Sequence, residues 1–196
     1  MSGHPVPRRR AVVLRGAQML LLAFLLLGEV RGQSSVLSDA PSAEARLKAA
    51  FVCKFGNYVE WPDAAKRSDE PFVIGALASD SVVRELTRAA AGQVVNGRPI
   101  AVKRLLRGDS LEGLAVVYVG RTESERLAEV LVSARGRPIL TVTESDAAGG
   151  DGGMVNFVVV EDRVRFDIAL PAAERSSLKI SGRLLALARK VTGAPS

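Results

Sequence analysis

Histidine and cysteine are nearly missing from this chain, with one of each in 196 residues. The histidine is His4, ahead of an apolar block, so a chain cut after that block has none. Without imidazole there is no Ser-His-Asp or Cys-His nucleophile, no imidazole proton shuttle and no zinc site that uses His. The lone cysteine, Cys53, cannot close an intramolecular disulfide. An unpaired thiol in an exported chain is either buried and inert or pairs between chains. Burial is the expectation, because free Cys behaves as a small hydrophobe. Trp61 is the single tryptophan, expected as a core or interface anchor. Long apolar runs are missing too. Met19–Leu27 spans nine residues, against the ~20 that a bilayer crossing needs.

What is there begins with a targeting signal. Arg8, Arg9 and Arg10 precede the apolar block, and Val30-Arg31-Gly32 follows it. A charged start, a short apolar stretch and a small residue at the cut predict a cleaved secretory signal peptide over residues 1–32. Arg9-Arg10 lacks the flanking Ser and Phe of a twin-arginine signal, and no Cys follows the cut to carry a lipid. Residues 33–41 read as a flexible linker and residues 42–192 as one domain. Removing the leader takes away five Arg and one Glu, lowering the formal charge from +6 to +2. The basicity belongs to the leader, so no nucleic-acid footprint is inferred. A domain of this size buries about 70% of its unfolded surface and needs no covalent staple.

The pattern along that domain predicts an α/β fold. A helix is expected from Ser42 or Pro41, with Leu47, Phe51, Phe55 and Tyr58 on one stripe and Ala45, Ala49, Cys53 and Gly56 on a small-residue seam. Lys54 lies near the stripe and must extend its ammonium outward. The helix should end before Trp61-Pro62, since a residue before Pro avoids the α region. Phe72–Leu77, Pro99–Leu105, Leu114–Val119 and Pro138–Val142 read as strands. Helices are expected over Val82–Ala91, capped by Asp80 or Ser81, and from a Thr122/Glu125 capping box to Ala134. Met154–Val160 and Val164–Leu170 form a hairpin, Pro171 opens a final helical region, and Leu178–Val191 carries further apolar residues. The sum is a single-domain, mixed but mainly parallel sheet with helices on both faces, a C-terminal hairpin and a helix.

Three segments invite chemistry. Gly149–Phe157, GGDGGMVNF, leads into a strand, whereas a phosphate-cradling loop leads into a helix. It reads as a hinge in which glycine supplies positive φ. Its GGDG is similar to the GG-acid-acid-F signature of nucleotide cyclases, but Gly152 stands where their second acid belongs. Glu144, Asp146 and Asp151 lack the alternation of a calcium loop. Ser176-Ser177-Leu178-Lys179 contains S-x-x-K, but the partner motifs of that nucleophile are missing. The reading is a helix-capping serine with Lys179 in solvent; a Ser-Lys hydrolase is the catalytic counter-hypothesis. Asn156, inside an apolar run, reads as an amide that locks loop geometry.

Four blocks together resemble the YfiR-like family of exported bacterial proteins. They are Phe51–Pro62 (FVCKFGNYVEWP), Val95–Val102 (VNGRPIAV), Gly152–Val158 (GGMVNFV) and Leu178–Leu187 (LKISGRLLAL). The matching positions are Phe55, Tyr58, Trp61, Pro62, Gly97, Arg98, Pro99, Gly152, Gly153, Met154, Asn156, Phe157, Lys179 and Ser181. The resemblance implies a periplasmic, non-enzymatic regulator without cofactor or metal, for which these residues are structural or interfacial. Such a protein binds the periplasmic part of an inner-membrane diguanylate cyclase or another membrane sensor protein and represses it. Cyclic di-GMP and biofilm formation then fall, and the regulator tends to form a homodimer. Members with cysteine pairs use them as a redox element; with Cys53 alone, intramolecular disulfide control is not available here. Gly182 also stands where Ser is common. The competing expectation is a periplasmic small-molecule binder or sensor, whose ligand sits in loops at the strand ends.

Overall fold

The computed structural model describes residues 42–63, 70–144 and 152–193. The expected leader and linker, and the acids Asp146 and Asp151, lie outside the described residues. No helix among the described residues is long and apolar enough to cross a membrane.

Ten strands and five α-helices are labelled here among the described residues. The strands are β1 (Val59–Glu60), β2 (Phe72–Leu77), β3 (Val94–Val95), β4 (Arg98–Arg104), β5 (Val116–Val119), β6 (Leu140–Thr143), β7 (Val155–Val160), β8 (Arg163–Ala169), β9 (Lys179–Ile180) and β10 (Lys190–Thr192). The helices are α1 (Ala43–Phe55), α2 (Asp80–Ala90), α3 (Leu127–Ala134), α4 (Leu170–Arg175) and α5 (Gly182–Leu185).

Eight strands form one sheet in the order β10-β8-β7-β6-β5-β2-β4-β3, and β1 pairs with β9 in a separate antiparallel ribbon. The central run from β4 through β2, β5 and β6 to β7 is parallel, while β8 runs against β7 and β3 against β4. The mixed, mainly parallel sheet is the expected one. Its central strands are buried through both faces, as Val116–Val119 shows, because helices cover the two sides. On one side α1 and α2 pack over Ile74, Val116, Leu140 and Phe157. On the other, α3 packs over Leu77, Val117, Val119 and Ile139.

Local boundaries depart from the sequence pattern in four places. First, α1 starts as expected, with the Ser42 hydroxyl accepting from Ala45 N at 3.1 Å, but it stops at Phe55 and tightens into a 3₁₀ turn over Gly56–Tyr58. Gly56 is pressed so closely that a Cβ there would lie 2.6 Å from Val95. The chain then straightens so that β1 can pair with β9. Second, Ser79, rather than Asp80 or Ser81, precedes α2. Third, the Thr122 capping box does not form: Glu123 leaves helical geometry (φ −115°, ψ 19°), and Arg121–Arg126 is a 3₁₀ segment ahead of α3. Fourth, the final helical region is two short helices separated by β9, because Ser177 turns the chain with φ 56° just after α4.

Candidate functional site

Phe55 belongs to the core. Its ring stacks on Phe157 at 5.8 Å and meets the edge of Phe166 at 5.4 Å between centroids. The first and third blocks of the sequence resemblance therefore touch inside the protein, through α1 and β7.

Beyond that core, the first, second and fourth blocks come together at one end of the sheet. Val59 pairs with Ile180 and Glu60 with Lys179. Ser181 N donates to Tyr58 O at 2.9 Å. The Ser181 hydroxyl then accepts from Leu184 N and caps α5. Lys179 stays exposed, as expected, and Ser176 is buried at the end of α4. The ribbon thus fixes the direction in which the chain leaves α1 and delivers Trp61 and Pro62 to this end.

Asn96 and Gly97 both take positive φ (51° and 81°) and turn β3 into β4, as an Asn-Gly pair does in a tight hairpin. The hairpin sets Pro99 opposite Val94 and leaves Arg98 facing the start of β2. Arg98 Nε donates to Glu70 O at 2.7 Å and its Nη2 to Pro71 O at 2.8 Å. Its guanidinium lies 5.7 Å from the Phe72 ring centroid, within the range of a cation–π contact. Phe72 in turn meets Trp61 edge-on, 5.2 Å between centroids at 87°. Arg98, Phe72 and Trp61 form one stack joining two blocks.

Around the stack is a cavity of about 690 Å³, lined among others by Tyr58, Trp61, Pro62, Arg98, Arg137 and Ser181. Its size falls in the range of small-molecule sites. It opens at the amino ends of the parallel strands, beside Phe72, Ala115 and Ile139. Ligands of open α/β sheets favour the carboxyl ends. Trp61 is 7% exposed, and its Nε1 is buried without an acceptor among the described residues. Such an orphan costs ~1–3 kcal/mol. Arg137 was not singled out by the sequence; half-buried on the cavity wall, it has no ion-pair partner among the described residues.

The third block lies elsewhere. Gly153 N donates to Thr143 Oγ1 at 3.1 Å, and Met154 N to Thr141 Oγ1 at 2.9 Å. Thr143 Oγ1 donates to Asn156 Oδ1 at 2.8 Å. Asn156 thus joins the hydrogen bonds that hold Gly153 and Met154 against β6. The hinge reading of the glycine loop is corrected at Gly152 and Gly153, neither of which has positive φ; Gly149 and Gly150 lie outside the described residues. Glycine is required at 153 because a Cβ would sit 2.7 Å from Thr141 O. Eleven residues join the parallel strands β6 and β7, slightly fewer than such a crossover usually takes.

A polar network that sequence reading missed ties α1 to this crossover. Lys48, 4% exposed, pairs with Glu44 and, at 2.5 Å, with Glu144 Oε2. Glu144 also accepts from the Tyr118 hydroxyl. The i,i+4 spacing of Glu44 and Lys48 was the only available signal; the contact with Glu144 spans the fold. Cys53 is buried and free, and burial raises its thiol pKa from 9.0 to about 11. A thiol so shifted is a poor nucleophile at neutral pH. No group of three or more His, Cys, Asp or Glu side chains among the described residues could hold a metal ion. The model of the family described as YfiR/HmsC-like matches residues 45–189, which takes in all four blocks entire.

Proposed function

The chain belongs to the YfiR/HmsC-like family, and from that membership we propose that it is an exported regulator, acting by contact rather than catalysis on the periplasmic part of an inner-membrane signalling protein. The partner under this reading is a diguanylate cyclase, held inactive so that cyclic di-GMP stays low and biofilm formation is restrained. The leader of residues 1–32 would be cleaved on export to the periplasm. What supports the reading most is the meeting of three family blocks at one end of the sheet, around Trp61. A contact repressor works only by preferring one state of its partner. Moving a 1:99 equilibrium to 99:1 takes a preference of roughly 5.5 kcal/mol. Trp61 and the Arg98–Phe72 stack offer aromatic and arginine anchors of the type that dominate interfaces. Homodimerisation through α1 or this end of the sheet belongs to the same proposal.

The test combines pull-down from solubilised inner membranes with cyclic di-GMP measured in a deletion strain. Deletion should raise cyclic di-GMP, and wild type should restore it. Arg137→Glu, on the cavity rim, should fold yet fail to restore it. Unchanged cyclic di-GMP on deletion, with no membrane protein retained by the wild type, sinks the reading. The second reading, a small-molecule sensor, is favoured by the 690 Å³ cavity itself, and a ligand there could release the partner. Turnover of a substrate, lost on replacing one side chain, would overturn both.

A further inference from the structure

The block Gly152–Val158 takes no part in the cavity around Trp61. Its residues line a second groove of about 770 Å³ on the sheet face that carries α3. Cross-strand register builds its floor. Thr143 lies opposite Asn156, Asn156 opposite Asp167, and Asp167 opposite Lys190. One polar row therefore crosses β6, β7, β8 and β10. The walls are α3, with Leu131 and Val132, and α4, with Pro171 and Ala172. Val132 is 65% exposed, so this wall offers a large apolar side chain to anything that enters.

The charge of the groove is one-sided. Four charged residues line it: Arg135, Asp167, Arg175 and Lys190. The single carboxylate is already engaged, since Arg189 grips Asp167 with both arms, Nε to Oδ1 at 2.8 Å and Nη2 to Oδ2. Arg135, Arg175 and Lys190 have no carboxylate partner among the described residues. Arg135 and Arg175 sit at the carboxyl ends of α3 and α4, so each helix presents a cation at the rim. An isolated exposed cation is worth little. Three around one concave surface, with no free acid opposing them among the described residues, raise the local concentration of anions. The guanidinium fork also matches a carboxylate in two parallel bonds.

We propose that this groove docks an acidic protein segment that carries an apolar side chain among its carboxylates. The apolar residue packs on Val132 and Leu131, while the carboxylates meet Arg135, Arg175 and Lys190. A free phosphate would leave the apolar wall unused, and a flat membrane surface would not reach the floor row of Asn156 and Asp167. The proposal deepens the contact-regulator reading by stating the partner's chemistry at this face.

The test uses the mature protein and a fluorescein-labelled decapeptide of alternating Glu and Val, followed by anisotropy. Saturable binding that weakens with salt is expected, since screening acts over ~8 Å at physiological ionic strength. The variant Arg135→Glu/Arg175→Glu/Lys190→Glu should lose about tenfold or more in affinity, the sum of three weak pairs turned repulsive. A control of equal net charge, Lys103→Glu/Arg107→Glu/Arg183→Glu, alters exposed cations outside the groove and should bind as wild type. Val132→Ser should weaken binding a few-fold, separating docking from plain charge attraction. Equal loss in both triple variants overturns the proposal. So does indifference to Val132→Ser, or binding of phosphatidylglycerol vesicles in place of the peptide. The probe needs no natural partner, so its failure would leave the cyclic di-GMP experiment standing, and the reverse.

Discussion

Gly153 lies against Thr141 so closely that a single added carbon would stand 2.7 Å from the Thr141 carbonyl oxygen and 2.8 Å from Thr143 Cγ2. One of those neighbours is backbone, which cannot turn aside. Gly153→Ala should therefore destabilise the protein by about 1–3 kcal/mol, the usual cost of overpacking. At Gly152 the nearest atom is 3.6 Å away and φ is not positive, so Gly152→Ala should be nearly neutral. Thermal unfolding by circular dichroism separates the two. Equal losses would restore a hinge account.

The Lys48–Glu144 pair should behave as a buried ion pair does. Removing one partner strands the other, at a cost of about 3–5 kcal/mol. Lys48→Ala should lower the urea midpoint by an amount in that range. Lys54→Ala, exposed on the same helix, should change it little.

Cys53 should be silent chemically and visible thermodynamically. With its thiol pKa raised from 9.0 to about 11, native protein at pH 7.5 should resist iodoacetamide, while urea-unfolded protein reacts. The folded state holds the proton more tightly than the unfolded state, so its contribution is full below about pH 9 and is lost as pH rises toward 11. Stability of the wild type should fall across that window. Cys53→Ala should lack that component of the decline, measured as urea midpoints from pH 8 to 11.

Glu161 and Asp162 join β7 to β8 with positive φ at both (49° and 58°). A two-residue hairpin asks for that geometry, and Asn-Gly supplies it with less strain. Glu161→Asn/Asp162→Gly should stabilise the fold by about 1 kcal/mol, read as a higher melting temperature.

Trp61→Phe keeps the aromatic edge against Phe72 and removes the orphan N–H. Its stability should match or exceed wild type, because an unmet donor is gone. Trp61→Ala should cost about 3–5 kcal/mol. A marked loss in Trp61→Phe would mean that Nε1 has an acceptor in solution.

Much of the architecture was legible without coordinates. Runs such as Leu114–Val119 are apolar at every position, which suits a strand covered on both faces, and Asn96-Gly97 announces its own turn. Boundaries were less legible where distant partners set them. The apolar stripe runs on to Tyr58 and the helix is expected to end only before Trp61, yet pairing with Lys179–Ile180 draws Val59–Glu60 out into a strand. Thr122 and Glu125 have capping-box spacing, yet Glu123 leaves the helix. The site was legible as four blocks of residue types, but not as two places.

By itself the sequence determined the kind of chemistry in reach: almost no imidazole, one thiol, and apolar periods that demand a covered sheet. Those follow from side-chain type and spacing, which are local. Tertiary structure alone decided that Trp61, Arg98 and Ser181 share one cavity, that Lys48 meets Glu144, and that glycine at 153 answers a close approach rather than a turn. Each depends on which strands become neighbours, and that choice is made by burial over the whole chain rather than by any segment.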